Sequence, residues 1–354
     1  MKTDKTDNIA GNMGNVELEH GGGGRLTKKL IDDIFQAHFK NSFGSFDEDA
    51  VTLDISGKIA FTTDSFVIQP LFFPGGDIGK LAICGTVNDL LTAGANPLYL
   101  SAGFIIEEGF SLDMLDKIAR SMRMTAEEAG VYIVTGDTKV IERNERAGEK
   151  PGLIINTSGI GEIISPVSVR NVAPGDALIV TGNIGDHQAC ILSWRMGIQN
   201  EICSDVSPLK EPVFNLIENN IILHGIRDIT RGGLATVLNE IAVLCGHSIE
   251  IMENQLPVCS ETATLLALLG MDPVYMANEG NILIITPESE AYHALELIKQ
   301  SHYGENAAII GRVIDENYKN NEKEKNPPTV RMITNIGGKR ALPPLSGESL
   351  PRIC

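Results

Sequence analysis

Five acidic positions stand in surroundings that could do chemistry: Asp49, Asp64, Asp89, Asp137 and Asp228. Asp64 interrupts an apolar, β-branched run at Thr62, Thr63, Asp64, Ser65, where a buried carboxylate must be hydrogen-bonded or bind something. Asp89 follows Asn88 in a stretch of helical periodicity, and Asp137 stands between Gly136 and Thr138, ahead of Lys139. Asp228 precedes Arg231 in HGIRDITRGG, whose Gly232 and Gly233 open a helix; charges beside glycines at a helix start suit an anion or a metal–anion site. Any one of these also fits a solvated surface carboxylate. Jointly, with no metal-binding His or Cys cluster, they suit hard oxygen ligation of Mg²⁺ carrying a nucleotide. They come from both halves of the chain, which predicts a site between two α+β domains.

Two further stretches are unusual. His20 is followed by Gly21, Gly22, Gly23, Gly24 and Arg25, a run that lets backbone amides approach a ligand closely. It lacks the Lys and Ser or Thr of a P-loop and follows no strand, so on its own it also fits a linker. The other stretch is Leu350, Pro351, Arg352, Ile353, Cys354, which ends the given sequence on a thiol. Gly337, Gly338, Pro343, Pro344, Gly347 and Pro351 predict an extended, mobile arm from Gly337 onward. A frayed terminus that happens to end in Cys is the bland alternative. A prenylation box is excluded, because it needs Cys fourth from the end.

The 354 residues predict two domains plus tails, and 43% hydrophobic content supports real cores. A formal charge of −17 argues against nucleic acid and anionic membrane as partners, since both need a basic face. It leaves room for a small phosphate ligand held locally. Six cysteines form no CxxC pair; Cys84, Cys190, Cys203, Cys245 and Cys259 read as core thiols of a reducing cytosol. No apolar run is long enough to span a membrane, and a cytoplasmic protein is expected.

Periodicity supplies the elements that must position these groups. Residues 1–19 read as disordered, and Leu26–Phe39 as an amphipathic helix. Strands are expected over Val51–Ile55 and Lys58–Ile68, a helix within Asp77–Pro97 ended by Gly94 and Pro97, and a strand over Leu98–Ile106. Ser111, Asp113 and Gly130 bracket a long helix. Val131–Val134 is a short strand emptying into Thr135–Lys139, and Leu153–Ile164 another. In the second half, strands are expected at Ala177–Thr181, Ile282–Ile285, Ala307–Val313 and Thr329–Ile333. Helices fall between them, Met196–Val206 is loop, Ser260 caps a helix, and HGIRDITRGG links two helices. Glu279 sits at a strand entry.

In order, HGGGGR, DEDAV, TTDSF, VNDLLTAGANP, GDTKV, RDITRGGLA, NEG and a PRIC end resemble the HypE family of hydrogenase maturation carbamoyl dehydratases, in the superfamily of aminoimidazole ribonucleotide synthetase and selenophosphate synthetase. The resemblance covers nearly the whole chain. It implies a two-domain, PurM-like α+β fold with N-terminal strands pairing across a homodimer, a C-terminal α/β domain and a flexible tail. The implied divisions are 1–42 (arm and helix), 43–165 (ATP binding and dimerisation), 166–333 (C-terminal domain) and 334–354 (tail). It places ATP in a groove under Gly22, Gly23 and Gly24. The Mg²⁺–ATP carboxylates fall on Asp49, Asp89 and Asp228, with Asp64, Asn88, Asp137 and Thr138 nearby. Lys139 and Glu279 occupy positions for chemistry, and Arg231 would offset charge on the transferring phosphoryl group.

The implied activity is ATP-dependent dehydration of a carbamoyl group on Cys354 to a thiocyanate. The implied partners are a carbamoyltransferase, HypF, and a scaffold of HypC and HypD. A kinase or synthetase acting on a free small molecule is the alternative within the superfamily. A nucleotide-sensing scaffold that docks partners through its tail is the alternative from another class.

Overall fold

The computed structural model describes residues 14–42, 50–143, 151–315 and 328–345. In the first half, α1 (Arg25–Leu30) continues through a π-helical stretch, Ile31–Gln36, into α2 (Ala37–Phe39). There follow β1 (Ile59–Phe66), β2 (Phe72–Phe73), β3 (Gly76–Asp77), α3 (Ile78–Thr92), β4 (Ala95–Glu107), α4 (Leu112–Ala129), β5 (Tyr132–Ile141) and β6 (Leu153–Ile163). Among the described residues one sheet has the order β1-β6-β4-β5, antiparallel except for the parallel β4–β5 pair. One face packs on α3 and α4; the other leaves Phe61, Ile160, Tyr99 and Tyr132 in register as an apolar row across all four strands.

The second half contains β7 (Asp176–Val180), α5 (Asp186–Arg195), α6 (Lys210–Glu218), β8 (Gly225–Asp228), α7 (Gly233–Cys245), β9 (Ser248–Met252) and α8 (Ser260–Leu269). It ends with β10 (Ile282–Pro287), α9 (Ala291–Lys299), β11 (Ala308–Ile314), β12 (Val330–Ile333) and β13 (Lys339–Ala341). Their sheet runs β13-β12-β9-β11-β7-β10-β8. α3 is apolar nearly all round because it is covered on both sides, by its own sheet and by β8 and α6 of the second half. α4 begins where Ser111 Oγ accepts from Met114 N and ends at Gly130, whose φ of 65° suits a residue without a Cβ.

The structure departs from the sequence expectations in several places, each through a partner distant in sequence. Residues 14–19 are not a free arm: Val16 is fully buried and its N–H donates to Phe110 O at 2.7 Å. Thr135–Lys139 belong to β5 itself, because the parallel register to β4 continues to Glu107↔Ile141. Gly225–Asp228 is a strand rather than part of a helix connection, since it pairs with β10. β9 was hidden in a short segment between α7 and a turn.

Val51–Ile55 forms no strand among the described residues. Lys339–Ala341 pairs with β12, and Leu342 is buried, so chain order persists beyond Gly337. α8 starts one residue earlier than expected, with Cys259 rather than Ser260 at its N-cap. Of the thiols read as core, Cys84 and Cys190 are buried, Cys245 and Cys259 partly so, and Cys203 is exposed.

Candidate active site

The cleft between the two halves is built on α3. Asp77 caps that helix by accepting from Gly79 N at 2.7 Å and Lys80 N at 3.1 Å, which sets its axis. Asp89, near its C-terminal end, accepts from Thr62 Oγ1 at 2.8 Å. Thr62 and Asp64 lie two apart on β1 and therefore share the face turned to α3. Gly85 leaves room there: a Cβ at that position would stand 2.8 Å from the Phe66 ring and 4.0 Å from Asp64 Oδ2.

The second half contributes Asp228, at the end of β8, which accepts from Thr230 Oγ1 at 3.1 Å. Arg231 follows, and Gly232 and Gly233, at φ 81° and 64°, turn the chain into α7. Glu279 is presented by a loop braced on both sides. Asn278 accepts from Gly185 N at 2.7 Å and donates to Ile229 O at 3.1 Å. Asn281 accepts from the N–H groups of Thr181 and Gly182 and donates to the carbonyls of Gly182 and Asn183. Between these two asparagines Glu279 is 7% exposed.

Electrostatics tie the groups together. Burial raises Asp64, Arg231 opposes the rise, and Asp228 adds to it. Burial, then Asp228 and Asp64, push Asp89 up to about 6. Glu279 is raised well above the usual carboxylate range by burial and then by Asp205, Asp228 and Asp64, with Arg231 opposing. Four carboxyl groups from two domains thus share one field, opposed by Arg231 at Asp64 and Glu279 and by Arg227 at Asp89, and such an acidic cluster gains from an incoming cation. Among the described residues no three acidic, His or Cys groups converge as a metal cage. That donor set fits a magnesium ion that brings phosphate oxygens with it and takes only one or two carboxylates from protein.

A second cluster lies at the opposite edge of the first sheet. Gly21 and Gly23, α1 and β5 enclose a cavity of about 230 Å³ whose wall includes Thr27, Phe104, Asp137, Thr138 and Lys139. Gly21 has to be glycine, because a Cβ there would stand 2.9 Å from Val140 N and Cβ. Lys139 Nζ is 3.9 Å from Asp137 Oδ2, both side chains being exposed.

The expected site residues therefore separate into groups. Asp64, Asp89, Asp228, Arg231 and Glu279 are brought together. Asp137, Thr138 and Lys139 are not with them: Asp137 is in register with Gly103, Asn156 and Ser65, three strand steps from β1, roughly 14 Å. Three of the expected nucleotide contacts are otherwise engaged. Asn88, 5% exposed, donates to Ser207 O at 3.0 Å and accepts from Leu209 N at 2.9 Å, so it clamps the two halves instead of facing a ligand. Gly22 N donates to Glu19 O at 3.2 Å and Gly23 N to Thr27 Oγ1 at 2.9 Å, closing turns with the amides expected to meet phosphate. Gly24 precedes α1, and its carbonyl accepts from Lys28 N at 3.1 Å. Asp49 and Cys354 lie outside the described residues. Asp205, whose Oδ1 accepts from Glu279 N at 3.1 Å, was missed; it stands in a stretch read as loop, without periodicity or motif to mark it.

The profile of the AIR synthase related protein, N-terminal domain, matches residues 47–163, and that of the corresponding C-terminal domain matches residues 173–320. The carbamoyl dehydratase HypE of Rhodobacter capsulatus is 43% identical over 348 residues, covering 96% of this chain and 98% of its own. That of Escherichia coli is 40% identical, covering 97% and 100%. Among solved structures, a HypE in complex with ATP superposes with a TM-score of 0.89 at 44% identity, over 96% of this chain and 99% of the other. A HypE–HypF complex gives 0.75 at 42%, over 89% and 99%. The chain belongs to the HypE family of the AIR synthase related proteins.

Proposed function

We propose that this protein is an ATP-dependent carbamoyl dehydratase of hydrogenase maturation, converting an S-carbamoyl group on its own Cys354 into an S-cyano group that becomes the cyanide ligand of the NiFe-hydrogenase iron. The observation that carries the reading is the meeting of Asp64, Asp89 and Asp228 between the two halves, with Arg231 acting on Asp64 and on the buried Glu279. Such a cleft can receive a nucleotide triphosphate with its cation and hold one carboxyl group in reserve for proton transfer. The HypE–ATP complex among the relatives supports ATP as co-substrate.

The reaction balances as follows. The carbamoyl oxygen of Cys354–S–C(=O)NH₂ attacks the γ-phosphorus of ATP, and ADP leaves. One N–H proton is given up, leaving an imidate whose former carbonyl oxygen now carries phosphate. Loss of the second N–H proton forms the C≡N bond as phosphate departs. Phosphorylation is needed because hydroxide is a poor leaving group. Arg231 offsets charge on the phosphoryl group in transfer, Glu279 in its carboxylate form accepts a carboxamide proton, and Lys139 polarises the carboxamide. Asp49, Asp89 and Asp228 would hold Mg²⁺, which supplies positive charge against the phosphates.

The last described residues give the tail its root. Asn239 Nδ2 donates to Leu342 O at 2.8 Å and Tyr275 Oη to Pro343 O at 2.9 Å. Tyr275 abuts Gly233, two residues from Arg231. From Pro343 the eleven residues to Cys354 span at most about 40 Å, and their root lies beside the turn that carries Arg231.

Lys139 lies at the far edge of the sheet from β1 within one chain. A homodimer closing over the apolar row of Phe61, Tyr99, Tyr132 and Ile160, and giving Val51–Ile55 a strand partner, would bring the edges of two sheets together. HypF is the loading partner, supported by the relative solved as a HypE–HypF complex, and a HypC–HypD scaffold is the acceptor. A reduced thiol suits the cytoplasm; no described helix is long and apolar enough to cross a membrane.

The test is intact mass. The chain incubated with a HypF-type carbamoyltransferase, its substrates and ATP should gain a carbamoyl group and then lose one water, and a carbamoylated chain that keeps its water in the presence of ATP overturns the reading.

A further inference from the structure

Asp205 is a buried ionisable group that the mechanism above does not use. It lies in the connection between α5 and α6, and that connection is fastened to both domains. At one end Ser204 N donates to Pro74 O at 2.8 Å, and Ser204 Oγ is 2.7 Å from His187 Nδ1. At the other, the Asn88 side chain holds Ser207 O and Leu209 N.

Between these anchors, Ser207 Oγ donates to Asp205 O at 2.8 Å, and Asp205 Oδ1 accepts from Glu279 N at 3.1 Å. The approach is close: a Cβ on Gly280 would stand 1.7 Å from Asp205 O, so only glycine can follow Glu279 here. Asp205 Oδ2 is enclosed and has no hydrogen-bond partner. An unsatisfied carboxylate oxygen costs stability, and the folded chain keeps it where an apolar residue would pack without that cost.

We propose that Asp205 is a positioning residue for the dehydration step, fixing the backbone of Glu279 to a strap that Asn88 ties to the nucleotide-side helix, so that the Glu279 carboxyl group meets the carboxamide only when both domains are in place. The inference rests on the reading of Glu279 as the group that takes the carboxamide proton. The charges facing the pair support it: Asp205 is the largest charge acting on Glu279, ahead of Asp228, Asp64 and the opposing Arg231. Asp186 and the backbone N–H groups of Glu279 and Gly280 act on Asp205, which burial pushes up to about 7. Glu279 in turn acts on the buried Cys84 thiol, together with Lys80, Glu128 and Asp77.

The experiment compares wild type, Asp205→Ala and Asp205→Asn in the full chain. Three measurements are made: ATP affinity by calorimetry, single-turnover water loss from the carbamoylated protein at saturating ATP, and amide exchange of the segment containing Glu279. Asp205→Ala should lower the water-loss rate at least about tenfold with ATP affinity unchanged and should expose the Glu279 amide to exchange. Asp205→Asn keeps an oxygen acceptor for the Glu279 N–H and should restore both rate and protection to within a few-fold. Wild-type rates and protection in Asp205→Ala overturn the inference. So does a loss in Asp205→Asn as large as that in Asp205→Ala, or a parallel loss of ATP binding, since either marks a merely structural residue. Absence of water loss from wild type would instead sink the proposed activity, while the exchange data still report on the Asp205–Glu279 contact.

Discussion

Asn88 and Asp89 are neighbours on α3 whose side chains serve different domains: Asn88 holds the backbone of Ser207 and Leu209 across the cleft, whereas Asp89 accepts from Thr62 on its own sheet. Consecutive helical residues point about 100° apart, so one turn of helix can fasten the second domain and leave a carboxylate at the cleft floor. Any shift of the second domain must work against the first residue before it changes what the second one faces.

Asn88→Ala leaves Leu209 N and Ser207 O without their partners in a buried interface. The expected cost is about 1–3 kcal/mol of stability, read as a lower midpoint in urea denaturation. A wild-type midpoint would show that the clamp contributes nothing.

Asp89→Asn should weaken Mg²⁺-dependent ATP binding by about tenfold or more, on the order of 1.4 kcal/mol. The wild-type affinity should also fall as pH drops through about 6, where burial, Asp228 and Asp64 bring protonation of Asp89 into range. Calorimetry at two pH values checks both; equal affinities for variant and wild type would remove Asp89 from the nucleotide site.

Cys354→Ala should leave ATP affinity and thermal midpoint unchanged and abolish carbamoyl loading and thiocyanate formation. Mass spectrometry after incubation with the transferase decides it. A carbamoyl adduct on the variant would place the acceptor atom elsewhere.

His187 is fully buried, and burial draws its pKa down to about 3 from 6.5. Between those values the unfolded chain binds a proton that the folded chain refuses. Its stabilising effect is therefore whole above pH 6.5 and is lost as pH falls toward about 3. His187→Gln removes that titration. Relative to the variant, wild type should lose up to about 1.4 kcal/mol for each unit of pH below 6.5, measured by denaturant titration at about pH 7.5 and pH 5.5. Parallel pH dependence in the two proteins would refute the assignment.

What could be read from the sequence were features with local causes. α4 was legible because Ser111 and Gly130 mark its ends by chemistry that needs no partner beyond the helix itself. Asp64 and Asp89 stood out because each interrupts an apolar pattern, and Asp228 because it lies in a charged stretch beside two glycines. Features decided by distant partners were not. Thr135–Lys139 look like a loop until β4 is seen alongside, and Lys339–Ala341 look like tail until β12 pairs with them. The glycine run was expected to bring backbone amides close to a ligand, whereas what crowds Gly21 in the fold is Val140. Asp205 had no mark at all, because its importance comes from meeting Glu279, 74 positions along the chain.

The anchorage of Leu342 and Pro343 by Asn239 and Tyr275 has a geographical consequence. In the proposed reaction the cargo sulfur can travel no farther from Tyr275 than its eleven-residue leash allows, whatever path the leash takes. A donor or acceptor protein must therefore bring its own reactive centre to the neighbourhood of α7 and Tyr275. In that reaction a partner whose reactive centre stays more than about 40 Å from Tyr275 could not exchange the one-carbon unit.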